Sequence, residues 1–141
     1  MTNGRVLLDR LQTHQDGILA LMRGAEPLLR DPALRDVAGL ARARWALMRA
    51  LTAYGLFKHN EIFDPAIGRR VLGEAQRAER MKRACTAMGD DFRGYVTKWS
   101  GTDVAGEWAN YQPAALAMMA RLRAHIATEQ KEIAALLERT G

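Results

Sequence analysis

The sequence predicts an all-α fold: a single domain over residues 1–141 that forms an up-down-up-down antiparallel four-helix bundle. Alanine, leucine and arginine dominate the composition, and these residue types favour helix over strand. Apolar residues recur at helical spacing in four long segments, which are separated by short stretches that contain proline or glycine. Because short connections make consecutive helices antiparallel neighbours, the four segments fit one bundle around one core.

The first two predicted helices span residues 5–29 and 31–63. Asp31-Pro32 separates them, since proline suits the first turn of a helix, and Asp64-Pro65 is expected to end the second. The apolar stripe of the first helix is predicted to contain Leu7, Leu11, His14, Ile18, Leu21, Met22, Ala25 and Leu29. The apolar side of the second is predicted to contain Val37, Leu40, Ala41, Met48, Leu51, Gly55, His59 and Ile62.

The third and fourth predicted helices span residues 66–99 and 112–139, with a loop at residues 100–103 between them. Gln112-Pro113 is expected to open the fourth helix, on whose apolar face Glu129 lies nearer the centre than His125. The inward positions of the third helix include no histidine; they are Ala78, Met81, Cys85, Met88, Phe92, Val96 and Trp99.

The single cysteine and the lack of long apolar segments argue against a disulfide-bonded, secreted or membrane protein. The single cysteine, Cys85, excludes an internal disulfide and fits a reducing compartment. The N-terminus lacks the apolar core of a signal peptide, and no stretch free of charges reaches membrane-spanning length. We therefore expect a cytoplasmic protein that does not contact membranes.

The formal net charge is +5, and a basic cluster on the third helix contributes to it. We interpret this cluster, Arg77, Arg80, Lys82 and Arg83, as a solvated helix face. Alternatively, the cluster binds an acidic partner. A protein is the more expected partner, and nucleic acid is the less expected one.

The three histidines, His14, His59 and His125, each fall on or beside the apolar stripe of a different predicted helix. We therefore expect His14 and His59 to be largely buried. Glu129 follows His125 by one turn, and three imidazoles with one carboxylate suit zinc or mononuclear iron. Two hypotheses stay open: one metal ion bound by His14, His59, His125 and Glu129, or a core without metal. In a core without metal, Glu129 must find a donor, move toward water or take up a proton.

Three segments resemble the hemerythrin-like (HHE) bundle proteins. They are residues 11–18 around His14, residues 54–65 ending in Phe63-Asp64-Pro65, and residues 122–137 with the His-x-x-x-Glu pattern of His125 and Glu129. The resemblance covers most of the chain and implies a hemerythrin-like fold. For the family, it also implies oxygen, nitric oxide or iron handling through a di-iron centre.

The sequence departs from the family pattern in the second and third helices. The family has a histidine ten residues before the terminal proline of the second helix and a glutamate six residues before it, where this chain has Gly55 and His59. The third helix offers no inward histidine. A bridged di-iron centre is therefore not expected, and the cofactor is either none or a single iron or zinc ion.

The function expected from these observations is a non-catalytic binding, sensing or regulatory module with a degenerate metal site. The chain has no glycine-rich phosphate loop, no zinc-knuckle spacing and no serine placed with a histidine, so no enzyme activity is expected. Two alternatives stay open: a mononuclear iron or zinc sensor for a small diatomic ligand, and a basic module that binds an acidic protein or nucleic acid.

Overall fold

A computed structural model describes residues 3–31, 33 and 36–140 of the chain. Its elements in chain order are α1 (Gly4–Arg30), α2 (Val37–Lys58), a π-turn (His59–Phe63), α3 (Asp64–Gly68), α4 (Glu74–Ser100) and α5 (Trp108–Thr140). No strand occurs in the described part of the chain, and four of the helices are long. The predicted all-α class and the four long helices are therefore confirmed.

Side-chain caps fix where the first two helices begin. Asn3 Oδ1 accepts a hydrogen bond from the Val6 backbone N–H at 2.9 Å, and Asp36 Oδ1 accepts one from the Gly39 backbone N–H at 2.9 Å. A short polar side chain in this position satisfies a helical N–H that has no partner within the helix. The first helix therefore begins one residue before its predicted start.

The proline signals at residues 65 and 113 placed two helix ends wrongly. Pro65 lies in the first turn of α3, where the missing N–H removes no helical bond, so the chain stays helical to Gly68 and α4 begins only at Glu74. Pro113 lies inside α5, which has already begun at Trp108 because the N–H groups of Asn110 and Tyr111 bond to the Glu107 carbonyl.

The four long helices enclose one hydrophobic core. α1 packs against α2 and α5, and α4 packs against the same two helices. At one end of the bundle, Gly4 lies against the Leu137 backbone, and at the other Gln112 Nε2 donates to the Leu29 carbonyl at 2.7 Å. Within the described residues, no helix is long and apolar enough to cross a membrane.

The predicted faces of α4 and α5 are largely confirmed, whereas that of α2 is right at Leu40 and Ile62 and wrong at most other positions. Val37 is exposed and Gly55 and His59 are half-buried, whereas Arg44, Tyr54 and Lys58 are buried. One cause is the π-turn, because a π-turn holds about one residue more than an α-turn. If the inward positions of α2 are counted back from Ile62 with α-helical spacing, the extra residue is ignored. The predicted face of α2 is then displaced by about one residue, or roughly 100° around the helix axis.

The first helix shows a smaller difference of the same kind. Its buried residues follow the predicted stripe, except that Gln15 takes the inward position and His14 lies half-buried at the edge. The prediction that His14 and His59 are largely buried is therefore corrected for both residues. Their neighbours Gln15 and Lys58 take the inward places, because each can form hydrogen bonds to polar partners on other helices.

Gly55 lies in the interior of α2, and a Cβ built there would meet nothing within 4 Å. Replacing Gly55 with alanine should raise the free energy of unfolding by about 0.5–1 kcal/mol, because alanine loses less backbone entropy on folding. Urea denaturation monitored by circular dichroism measures the change.

Two further glycine-to-alanine variants serve as controls for Gly55→Ala. Gly17→Ala on α1, where a Cβ also meets nothing, should give a similar gain. Gly39→Ala should destabilise the protein, because its Cβ would collide with the capping carboxylate of Asp36. A loss of stability in Gly55→Ala would contradict the open environment found at this position.

Candidate functional site

A buried ion pair joins the end of α2 to α5 inside the bundle. Lys58 Nζ lies 2.8 Å from Glu129 Oε1 and 2.7 Å from Oε2, and the two residues are only 2% and 3% exposed. Taking both charges out of water is costly, so each depends on the other. This pair answers the question left open by the sequence: in the described structure Glu129 finds donors.

Two further side chains complete the hydrogen-bond network around the carboxylate. The Tyr54 hydroxyl donates to Glu129 Oε1 at 2.7 Å and accepts from Gln15 Nε2 at 3.0 Å, which links α1 to the same group. The Lys58 ammonium also lies 3.8 Å from the centre of the Tyr54 ring, a favourable cation–π distance. Burial first, and then the charge of Glu129, raise the pKa of Tyr54, so its hydroxyl keeps its proton and remains a donor.

His125 approaches Glu129 from the preceding turn of α5. Its Nε2 lies 3.2 Å from Glu129 Oε1, and its side chain is 18% exposed, against 4% for Glu129. The prediction that Glu129 is the more inward of the two is therefore confirmed. Burial lowers the pKa of His125, but hydrogen bonds with Cys85 and Glu129 outweigh that effect and raise it to about 9. His125 is therefore cationic at neutral pH.

Glu129 stays ionised because its cationic neighbours lower its pKa. Burial alone would raise the pKa of Glu129, but the His125 hydrogen bond and the Lys58 charge oppose burial and lower it below its ordinary value. The interior of the bundle thus holds an acidic group between two cationic ones. Helix geometry already places His125 one turn from Glu129, whereas only the tertiary fold brings Lys58 to the same carboxylate.

The structure brings together two of the four candidate metal ligands, His125 and Glu129. The His14 ring stacks on Phe57 with centroids 5.0 Å apart, and the His59 ring meets Phe63 edge-on at 5.6 Å. Within the described residues, no three histidine, cysteine, aspartate or glutamate side chains are grouped so that they could hold a metal ion. The metal hypothesis remains an untested prediction.

Burial lowers the pKa of both His14 and His59, and nearby cations add to the effect. For His14 these are Arg10 and Lys58, and for His59 they are Lys82 and Lys58. Both imidazoles are therefore neutral at neutral pH. Glu61, which lies between His59 and Phe63, forms an ion pair with Arg10 on α1.

A cleft of about 400 Å³ opens between α2 and α4, and its inner end reaches this buried network. Tyr54, Lys58, Cys85 and His125 line that inner end, while Gly55 and His59 line the α2 side. The apolar part of its surface comes from Met48, Leu51, Met88, Phe92 and Leu122. Volumes of this order are typical of pockets that bind small molecules.

Sequence reasoning missed Gln15, Tyr54 and Lys58. The available signal was that Tyr54 and Lys58 lie one turn apart on α2, as His125 and Glu129 do on α5. A lysine in an apolar helix is more often placed at the surface, so nothing local indicated that Lys58 would pair with a glutamate 71 residues away.

Replacing Lys58 with methionine should lower the free energy of unfolding by about 3–5 kcal/mol, because it leaves the Glu129 carboxylate buried without its cation. Adding Glu129→Met should recover most of that loss, since the pair is then replaced by apolar groups. Urea denaturation of both variants provides the test.

The matched control is Lys82→Met, which breaks an ion pair to Asp64 whose side chains are 40% and 50% exposed. This change should cost no more than about 1 kcal/mol. Equal losses in Lys58→Met and Lys82→Met would show that burial of the Lys58–Glu129 pair has no energetic consequence.

The stability of the fold should fall as the pH rises from 6.5 to about 9. A histidine whose pKa is raised by folding, here His125 from 6.5 to about 9, stabilises the fold fully below its unfolded pKa and loses that contribution as the pH rises through its folded pKa. His14 and His59, whose pKa values are lowered, change charge below this window.

Unfolding of the wild type and of His125→Gln at a series of pH values checks this expectation. The difference in unfolding free energy between the two proteins should shrink across the window. A difference that stays constant from pH 6 to pH 9 would mean that His125 does not take up its proton on folding.

Comparison of the chain with models of known protein families, with curated proteins and with solved structures finds no match. The resemblance to hemerythrin-like proteins therefore rests on the three quoted segments alone.

Proposed function

We propose that this chain is a non-catalytic binding module that holds a small, mostly apolar ligand in the cleft between α2 and α4 and acts in sensing or regulation. The observation that carries the proposal is the cleft itself: about 400 Å³, with apolar walls and a polar inner end at Lys58 and His125. Pockets of this kind, apolar with a few converging polar groups, are typical small-molecule sites.

The ion pair supports a module that works without a metal ion. Lys58 gives Glu129 the positive charge that a bound cation would otherwise provide, and Tyr54 and His125 fill further acceptor directions of the same carboxylate. Glu129 therefore has no unmet need for a metal. This arrangement favours a degenerate site over a di-iron centre.

The helix contacts support a hemerythrin-like, up-down-up-down arrangement for the module. The start of α1 lies at the end of α5, and the end of α1 lies at the start of α5, as expected for antiparallel neighbours. The Lys82–Asp64 pair joins the early part of α4 to the start of α3. We place the module in the cytoplasm, in line with its single cysteine.

A mononuclear iron or zinc sensor is the second candidate function. His59 and His125 line the same cleft, so two imidazoles face one space. In this alternative, zinc or iron(II) binding draws His14 and Glu129 to the same ion, and a diatomic ligand takes an open position. The basic-module alternative has less support, because Lys82 of the basic cluster already pairs with Asp64.

Octanol is a suitable probe of the cleft, and Gly55→Phe is the variant that should close it. The phenyl group would enter open space at the cleft wall, so the fold should persist while octanol no longer binds. Calorimetric titration of octanol into the wild type, Gly55→Phe and the control Gly17→Phe makes the comparison.

The control places the same side chain on the exposed face of α1, where nothing lies within 4 Å of the added Cβ. We expect octanol to bind the wild type and Gly17→Phe alike. Equal binding to all three proteins would contradict a ligand site in the cleft.

Metal analysis of the freshly purified protein, with an absorption spectrum, separates the two candidate functions. The proposed module should contain far less than one iron or zinc per chain. If one metal does bind, His59→Ala should abolish its uptake while the helical content stays nearly intact. Two irons per chain with the visible absorption of a bridged ferric pair would contradict both candidates.

A further inference from the structure

A second cation, Arg44 on α2, is buried without a carboxylate partner. The residue is 5% exposed, its Nη1 donates to the Tyr111 hydroxyl at 3.0 Å, and its Nε has no hydrogen-bond partner among the protein atoms. No ion pair to Arg44 is found within the described residues, which include every aspartate and glutamate of the chain. A buried guanidinium is charged, so this arrangement carries an unmet electrostatic cost.

Arg44 lines a small cavity of about 10 Å³ inside the bundle. Phe92 and Leu122 line both this cavity and the cleft between α2 and α4, so these two side chains form the wall that the two spaces share. A cavity of this size holds about one water molecule, whereas the cleft holds a small organic molecule. Arg44, whose Nε lacks an acceptor among the protein atoms, thus lines a cavity that shares Phe92 and Leu122 with the cleft.

We propose that the ligand of the cleft is an apolar monocarboxylate, whose tail lies along Met48, Leu51 and Met88 and whose carboxylate reaches Arg44 past Phe92. This inference rests on the proposed function and names its ligand class. The ligand supplies the negative charge that the protein lacks at Arg44.

The residues that line the Arg44 cavity and the cleft suit a carboxylate better than other anions. A guanidinium presents adjacent N–H donors that match the two oxygens of a carboxylate, and the free Nε–H of Arg44 is one of them. A phosphate or sulfate has more oxygens to satisfy, and the cavity lining offers few other donors because it is mainly leucine, alanine and methionine. An apolar tail suits the methionine and leucine walls of the cleft.

Phe92 controls the passage between the two spaces. Its side chain is 2% exposed and stacks on Tyr95 with ring centroids 5.6 Å apart. The carboxylate needs more room than one water molecule, so the Phe92 ring turns aside when the ligand enters. The residue acts as a positioning wall and makes no polar contact with the ligand.

Octanoate and octanol, which share a chain length and differ in charge, are the probes that test the inference. Calorimetric titration at one pH should show that the wild type binds octanoate roughly tenfold or more tightly than octanol, as expected for a charge-assisted hydrogen bond. Arg44→Met should lose this preference and bind both probes equally. Arg42→Met, on the exposed face of the same helix, should keep it.

Two further readouts distinguish a ligand-binding arginine from a structural one. Arg44→Met should be at least as thermally stable as the wild type, because it removes an unpaired buried charge. The NMR signal of the Arg44 Nε–H should shift when octanoate is added and should not shift with octanol. Phe92→Ala, which opens the shared wall, should speed the binding of octanoate.

The possible results distinguish the ligand class from the binding site itself. Equal binding of the two probes to the wild type, or a preference that survives in Arg44→Met, would overturn the inference while leaving the cleft as a binding site. Unfolding of Arg44→Met would also overturn it, by showing that the guanidinium is structural. A preference lost in His125→Gln but kept in Arg44→Met would assign the carboxylate to His125. Failure of the wild type to bind either probe would contradict the proposed function itself.

Discussion

The structure depends on one constraint: a carboxylate inside a helical bundle must be neutralised where it lies. Glu129 meets this requirement through Lys58, with Tyr54 and His125 filling further acceptor directions. Because Tyr54 also accepts from Gln15, the requirement fixes the rotation of α1, α2 and α5 relative to one another. An apolar core of equal volume is often as stable as such a pair, so the pair is not required for stability alone.

The same constraint shapes the cleft beside the pair. With Tyr54 and Lys58 turned inward, Gly55 and His59 are carried to the α2 side of the space that opens toward α4. Gly55 adds no side chain there, so the volume stays open down to the polar network. The positions at which the family pattern would place metal ligands therefore form one wall of the cleft in this chain.

The two buried cations of α2 differ in a way that is informative about function. Lys58 is fully paired and contributes to the fold, whereas Arg44 donates to the Tyr111 hydroxyl and has an Nε without an acceptor among the protein atoms. Side chains that lower the stability of the fold are found mainly at functional sites. They are retained there because selection for binding opposes selection for stability. Because the two long cations on one helix differ in this way, we place the charge of the proposed ligand near Arg44 and not near Lys58.

The sequence by itself determined the helical class, the four long helices, and the inward faces of α4 and α5, including the deeper burial of Glu129 than His125. Those faces follow from regular apolar spacing, which is a local property of the chain. The face of α2 could not be obtained in this way, since that helix has apolar residues on several sides and its buried positions include Arg44 and Lys58. Only the tertiary structure decided it: a π-turn changes the count of residues per turn, and a lysine becomes a core residue only when a glutamate from another helix lies within 3 Å of it.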